Sequence, residues 1–168
     1  LEYATKLQSA FALKKDKIET IRNILIADRR LVRVVKRMVP LHRNIVRALS
    51  SNNHVILQEY NLIRRRILKV IREIHRASTS DHPLKHIEKV QKQRNKAKEL
   101  DVLLSGRVNK LVLDGAITRE MATSLMNDSE EAQNIVRDLI DIASLLYDPR
   151  DKLIDQLEEE ELGLEALQ

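Results

Sequence analysis

Two histidines near the middle of the chain have the spacing of a metal-binding pair. His82 and His86 are four residues apart, so both lie on one face of a helix, and Asp81 precedes them. Imidazole and carboxylate groups are common zinc ligands, but the surrounding sequence implies no third strong ligand. Both histidines also fall at a predicted helix start. We therefore expect no metal or cofactor here, and we expect His42, His54 and His75 to be surface residues.

Charged residues that interrupt apolar helical stripes are the second candidate site. Asp28 and Asp128 fall on the predicted buried faces of the first and last long helices, and Arg94 falls on that of the fourth helix. Arg64 lies one turn beyond Tyr60. Since a core-facing charge is costly unless it is paired, we predict a polar layer in which Asp28 and Asp128 meet Arg94 or Arg64.

An enzymatic role is disfavoured by the motifs that the sequence lacks. The chain has no Cys, which excludes thiol catalysis, disulfides and Cys-ligated metals. It also shows no activated nucleophile, no Gly-rich phosphate loop and no HExxH motif. We therefore interpret the polar layer as a packing feature and not as a catalytic site, and we expect a protein that is not an enzyme.

Clusters of Lys and Arg are the most prominent feature of the sequence. Residues 1–114 contain 26 Lys and Arg against 11 Asp and Glu, whereas residues 115–168 contain 4 against 14. A positive surface of this kind attracts phosphate groups, in anionic lipid or in nucleic acid. We predict that the clusters form an anionic-surface-binding face, which comprises Arg29, Arg30, Arg33, Lys36, Arg37, Arg65, Arg66, Lys69, Arg72 and Arg76.

Two other interpretations of the basic clusters are open. They could form a solvated surface, with some Arg paired to Asp and Glu of the acidic last helix, or they could contact nucleic acid. Nucleic acid is disfavoured because the chain has 3 Tyr, 1 Phe and no Trp for base stacking, and no recognition module is evident. We expect anionic lipid headgroups or a protein partner instead, and a homodimer is an open alternative.

The elements that position these residues are predicted to be long helices, because only 3 Gly and 3 Pro occur in 168 residues. We predict a break or kink at Pro40, a turn and helix cap at SSNN (50–53), and a helix over about 83–114 that Gly106 interrupts and that ends at Gly115. A last helix is predicted to be capped by Thr118. The helix after SSNN is expected to bury a stripe formed by Ile56, Tyr60, Ile63, Ile67, Val70, Ile71 and Ile74. The first helix is expected to bury a stripe formed by Leu7, Phe11, Ile18, Ile21, Leu25, Val32, Val35 and Val39, with Leu31 beside it.

Long helices joined by short links favour antiparallel neighbours. We predict an all-α fold, an up-and-down antiparallel bundle of about four long helices with a short helix after Pro40. The bundle is assigned to residues 1–148, and residues 149–168 are predicted to be an acidic tail that is amphipathic or disordered. No run of 18 apolar residues occurs that would span a bilayer, and the first residue, Leu1, suggests a piece of a longer chain.

Three segments resemble a known family. They are YNLIRRRILKVIREIHR (60–76), KAKELDVLLSGRVNKLV (96–112) and ITREMATSLMNDSEEAQNIVRDLIDIASLLY (117–147). Together they are similar to the C-terminal cytoplasmic, PhoU-like helical region of bacterial sodium/phosphate cotransporter-type proteins. The most specific part of the resemblance is the polar MATSLMNDS run, which leads into a helix with small residues.

This resemblance implies a regulatory or assembly role for a PhoU-like bundle, below a transport domain of the same chain and at the cytoplasmic face of the inner membrane. The family's metal-binding spacing, Glu/Asp-x-x-x-Asp, occurs only at Asp151–Asp155 in the tail, so metal binding is not carried over. The alternatives are a helical cytoplasmic tail of a sodium/proton antiporter and a free-standing helical adaptor with a basic binding face.

Overall fold

The computed structural model describes residues 15–99 and 106–147, and within these residues the chain forms helices and short links without a strand. The helices are α1 (Lys15–Leu49), α2 (His54–Thr79), α3 (Pro83–Glu99), α4 (Arg107–Leu113) and α5 (Arg119–Tyr147). The prediction of an all-α fold is confirmed. In this part of the chain, no helix is long and apolar enough to cross a membrane. The predicted tail at 149–168 lies outside the described residues.

Helix α5 lies at the centre of the fold, where it packs against α1, α2, α3 and α4. Its sequence suits this position because aliphatic and small residues surround much of the helix instead of forming one narrow stripe. Ile135, Ile140, Ala143 and Leu145 lie on different sides of α5, and all four are buried. The acidic last helix is therefore the element around which the basic helices assemble.

Helix α1 continues through Pro40, so the predicted break and the separate short helix after it are wrong. A proline inside a helix removes one backbone hydrogen bond, here the bond to the carbonyl of Lys36. Pro40 and Lys36 are both exposed, so water can hydrate that carbonyl at little cost. Proline does disfavour a continuing helix, but Pro40 lies on the exposed side of α1, where the lost hydrogen bond is least costly.

The buried face of α1 is not the predicted one. Val34, Leu41 and Ile45 are buried in the core, whereas Val35 and Val39 of the predicted stripe are about half exposed. Helix α1 carries aliphatic residues on two faces, and the helical period does not choose between them. We call the exposed one the outer face of α1; its exposed apolar members are Ile24, Leu31, Val32, Val35, Val39 and Val46.

The remaining positions of the predicted stripe are not fully buried either. Ile18, Ile21 and Leu25 are partly exposed, and Leu7 and Phe11 lie outside the described residues. The prediction thus identified a real apolar face of the helix but assigned it to the wrong environment.

The predicted links agree better with the structure. Asn53 caps α2 by accepting hydrogen bonds from the backbone amides of Val55 and Ile56, at 3.0 and 3.1 Å. Thr118 caps α5 through a bond of 3.2 Å from the Met121 amide, and Gly115, with φ +66°, ends α4.

The predicted helix over about 83–114 is divided in the structure. Helix α3 ends at Glu99, and α4 begins at Arg107, directly after Gly106. Gly106 has φ +62°, a left-handed conformation that is unfavourable for residues with a Cβ atom and incompatible with a continuing right-handed helix. The glycine was recognised in the sequence as an interruption, but it marks a helix start.

Candidate functional site

A row of polar contacts, called here the polar ladder, joins α1 to α5. Its members are Arg30, Arg37 and Asn44 of α1 and Asp128, Asp138 and Asp141 of α5. The α1 residues are spaced by about two helical turns, so they lie on one side of that helix. The contacts occur in opposite order along the two helices, so α1 and α5 are antiparallel.

Arg30 forms the most buried contact of the polar ladder and is only 5% exposed. Its Nη1 donates to Oδ2 of Asp141 at 3.1 Å and lies 3.5 Å from Oδ1 of Asp138. From α3, Nη1 of Arg94 lies 3.3 Å from the other oxygen of Asp141. One carboxylate is thus held by guanidinium groups from two helices, which ties α1 and α3 to α5.

Arg37 forms the middle contact of the polar ladder, closer to solvent. Its Nη1 donates to Oδ2 of Asp138 at 3.1 Å, and its Nε lies 3.6 Å from Glu131 Oε2. Arg33 Nε is 3.9 Å from Asp138 as well. The acids of α5 therefore neutralise several of the Arg residues of α1, which was one of the alternatives for the basic clusters.

The electrostatics of Asp141 fit a packing role. Burial raises the pKa of this carboxyl because it removes water from the charged form; Arg94 and Arg30 oppose that effect, and Asp138 adds to it. Arg30 and Arg94 lie against the two oxygens of Asp141, so this carboxylate joins α1 and α3 to α5.

Asp128 is buried, but it does not meet the predicted partners. Tyr60 Oη donates to its Oδ2 at 2.6 Å, and Asn44 Nδ2 donates to its Oδ1 at 3.0 Å. Burial, and next the hydrogen bond to Asp128, raise the pKa of Tyr60 well above its ordinary value, so the hydroxyl keeps its proton as a donor. Neutral donors from α1 and α2 thus satisfy this carboxylate.

A cavity of about 230 Å³ opens beside the Asp128 end of the polar ladder. Its wall includes Asn44, Tyr60, Arg47, Met121 and Ser124. The volume is below the roughly 300–1,000 Å³ of typical ligand pockets. We therefore assign no small-molecule ligand to it.

Two smaller ion-pair groups attach α2 to its neighbours. Glu59 is buried and contacts Arg107 of α4, with Oε1 and Nη2 2.6 Å apart. Burial raises the pKa of Glu59, and Arg107 partly opposes this. Glu73 contacts Arg76 and also His86 of α3, whose Nδ1 lies 3.1 Å from Oε2 of Glu73.

The two histidines of the predicted pair lie in different environments. His86 is directed to Glu73, a contact that lowers the pKa of that glutamate, while His82 is exposed. Within residues 15–99 and 106–147, no three side chains of His, Asp or Glu converge as metal ligands would.

Three of the predicted site assignments are wrong. Asp28 and Arg64 are exposed and do not belong to a polar layer in the core. Arg30, predicted on the anionic-surface-binding face, is buried. One cause explains Asp28 and Arg30: they lie on opposite sides of α1, and the face that enters the core is the one with Arg30. Of the remaining predicted layer, Arg94 and Asp128 have the separate partners described above.

The predicted basic residues that are exposed concentrate on α2. Arg65, Lys69, Arg72 and Arg76 follow each other at intervals of three or four residues and are all exposed, opposite the buried Ile63. We call this group the basic ridge. On α1, Arg29 and Lys36 are exposed, whereas Arg33 and Arg37 contact acids of α5; Arg66 of α2 is partly buried.

The residues that the sequence prediction missed are Asp138, Asp141, Asn44 and Glu59. The signal for Asn44 was present as polar residues at regular intervals, since Asn23, Arg30, Arg37 and Asn44 recur every seven residues along α1. A polar series with that period lies on one helix face and needs partners if that face is buried. Glu59 had no comparable signal.

Comparison with known proteins adds no assignment, since the chain matches no family model, no curated protein and no solved structure. The similarity to PhoU-like domains stays a prediction from the three sequence segments.

Proposed function

We propose that this chain is a non-enzymatic regulatory or assembly domain at the cytoplasmic face of a membrane ion or phosphate transporter of the sodium/phosphate cotransporter type. In this proposal the bundle rests against anionic lipid headgroups, and the membrane domain of the transporter belongs to the same chain. The transporter class is supported by the similarity of residues 60–76, 96–112 and 117–147 to PhoU-like domains.

The basic ridge of α2 is the observation that carries the proposal. Its four cations are exposed, and although Arg76 contacts Glu73, the other three, Arg65, Lys69 and Arg72, lie within about two turns of one another. Each Lys or Arg held close to an anionic membrane surface contributes about 1 kcal/mol to binding. The ridge is therefore sufficient for weak, reversible contact with a membrane to which the chain is already tethered.

The ridge is a better candidate than the cations of α1. Arg30, Arg33 and Arg37 contact carboxylates of α5, and those contacts would have to break before the guanidinium groups could bind phosphate. The cost of breaking them is largest for Arg30, because it is buried.

Co-sedimentation with vesicles tests the membrane part of the proposal. The variant R65Q/K69Q/R72Q removes three charges of the basic ridge, and K85Q/K89Q/K92Q removes three exposed charges of α3 at the same spacing. At about 0.1 M salt, binding to vesicles with anionic lipid should fall about tenfold or more in the ridge variant. The α3 variant should bind much like the unmodified chain.

Two results would contradict the membrane part. One is equal binding to neutral and anionic vesicles, and the other is an equal loss in both triple variants, which would indicate net charge instead of a defined surface. The transporter part is tested separately by the full-length gene. Apolar segments of about 20 residues upstream of Leu1 would support it, whereas a start codon next to Leu1 without such segments would favour a free-standing adaptor.

A further inference from the structure

The outer face of α1 has the features of an interaction surface. Its six apolar side chains are each about half exposed, and none of the described residues covers them. They extend along α1 from Ile24 to Val46, which is roughly 35 Å of helix. An exposed apolar surface of this length on a folded domain, interrupted by Asp28 and His42, indicates a docking site and not random exposure.

The positions along this face are symmetric about Val35. Leu31 and Val39 lie four residues before and after it, and Asp28 and His42 lie seven residues before and after it. When two copies of such a helix cross antiparallel at Val35, each residue meets its counterpart on the other copy. Leu31 then meets Val39, and Asp28 meets His42, so an acidic side chain is opposite an imidazole on both sides of the centre.

The same symmetry continues toward the ends of the helix. Ile24 and Val46 lie eleven residues from Val35, and Ile21 and Leu49 lie fourteen residues from it. These apolar positions are matched by apolar positions, and the two polar positions are matched with each other. Val32 has no such match, because its counterpart Met38 packs against the core, and Leu49 also contacts the core. The outer face is therefore complementary to the same face of a second copy, in the pairing of Asp28 with His42 as well as in its apolar positions.

We propose that the outer face of α1 binds the outer face of a second copy, with the two α1 helices antiparallel and centred on Val35. The half-exposed apolar side chains of two copies offer on the order of 1,000 Å² of surface, near the lower limit for a specific interface. The pair is consequently a reversible dimer, not an obligate one.

The charges beside the face affect this dimer. Lys36 and Arg43 follow Val35 and His42 in the sequence and are exposed on one flank of the outer face. A two-fold axis through the centre of an antiparallel pair brings the same flank of both copies to the same side. The cations therefore line one edge together, and their repulsion reduces the affinity by an amount that physiological salt screens only partly.

Sedimentation velocity of the full chain, in about 0.15 M salt and without lipid, tests the inference up to roughly 100 µM protein. The unmodified chain should form a concentration-dependent dimer. The variant V35E places a charge at the centre and should weaken the dimer about tenfold or more. The matched control L113E changes a residue that is 86% exposed and lies away from α1, and it should leave the dimer unchanged.

A charge exchange tests the register independently of any effect of V35E on folding. D28H places two imidazoles opposite each other, and H42D places two carboxylates opposite each other, so each should weaken the dimer several-fold. The double variant D28H/H42D restores opposite partners and should return the affinity to within about threefold of the unmodified chain.

Three results would overturn the inference. They are a chain that stays monomeric, a dimer that V35E and L113E weaken equally, and a D28H/H42D variant that does not regain the dimer affinity of the unmodified chain.

Deletion of 149–168 tests whether the tail, and not a second copy, covers the outer face of α1. If the full chain is monomeric and the deletion variant dimerises, the tail covers the outer face and the proposed dimer is not the state of the full chain. Because no lipid is present, these outcomes are distinct from failure of the proposed membrane contact.

Discussion

Helices α1 and α2 differ in how their sequences relate to their surroundings. On α2 the apolar residues Ile56, Ile63, Ile67 and Val70 form one face, which is buried, and the opposite side carries the basic ridge. Leu62, Leu68 and Ile71 of α2 are exposed, but they lie at scattered positions and do not form a second apolar face. On α1 two faces are apolar, and the one that enters the core also contains the polar series with Arg30. An amphipathic pattern thus identifies the buried side of a helix only where the chain offers a single apolar face.

The buried face of α1 is selected by charge as much as by apolar area. Asp138 and Asp141 are buried on α5, and the inner face of α1 brings Arg30 and Arg37 to them. If the outer face were turned inward, Asp28 would approach these carboxylates, and like charges in a core are strongly unfavourable. Four experiments test this account of α1 and its contrast with α2.

The largest effect is expected for Arg30→Met on the inner face of α1. The change leaves Asp138 and Asp141 without their most buried cation and should destabilise the fold by about 3–5 kcal/mol. Lys36→Met, which makes the same kind of change at an exposed position, should alter stability by less than about 0.5 kcal/mol. Urea unfolding of both variants measures the difference; equal stabilities would mean that charge does not select this face.

Val34→Ala and Val35→Ala compare the two faces at adjacent residues of the same type. Val34 is 2% exposed and Val35 is 55% exposed. Loss of buried methyl groups and the remaining cavity should make Val34→Ala cost about 1.5–3 kcal/mol, while Val35→Ala should change monomer stability by less than about 0.5 kcal/mol. Unfolding should be followed at low micromolar protein. The reverse order of the two effects would show that the predicted stripe faces the core after all.

Arg107→Ala tests the contact that α2 makes through buried Glu59. Without Arg107 the carboxylate loses its cation, and we expect a loss of about 1–2 kcal/mol at pH 7, reduced from larger values because Arg107 is half exposed. The pKa of Glu59 is already raised in the folded state, so this group stabilises the fold below its unfolded pKa, and that stabilisation is lost as pH rises through the folded pKa.

Removal of Arg107 raises the pKa of Glu59 further. The difference in unfolding free energy between the unmodified chain and Arg107→Ala should therefore become smaller as pH falls toward 4. Urea unfolding at pH 7, 5.5 and 4 provides the measurement. A deficit that is constant with pH would assign the effect to lost packing of the Arg107 side chain and not to the charge of Glu59.

Among the changes at buried residues or their contacts, Tyr60→Phe should have the smallest effect, about 1 kcal/mol, because the ring stays buried and only one hydrogen bond to Asp128 is lost. Asn44 still donates to the same carboxylate. Thermal unfolding should show a modest decrease in Tm. A loss as large as that of Arg30→Met would mean that the Tyr60 end of the polar ladder, on the side of α2, determines the packing of α5.

The sequence by itself determined the all-α class, the face of α2 and the caps at Asn53 and Thr118. Each of these depends on residues that are close in the chain: scarce Gly and Pro, one apolar period, and a side chain that reaches amides two or three residues away. The same local information placed Asp128 in the core, because its helix has aliphatic residues on both sides of that position.

Only the tertiary structure decided which face of α1 is buried, that Pro40 leaves α1 unbroken, and that Arg30 and not Asp28 meets the acids of α5. These outcomes depend on which helix lies beside which, over separations of about a hundred residues. The helical period and the helix propensity of a segment depend only on residues close in the chain, so they cannot show which helices become neighbours. An unpaired buried charge, by contrast, destabilises the fold only once the helices have packed together.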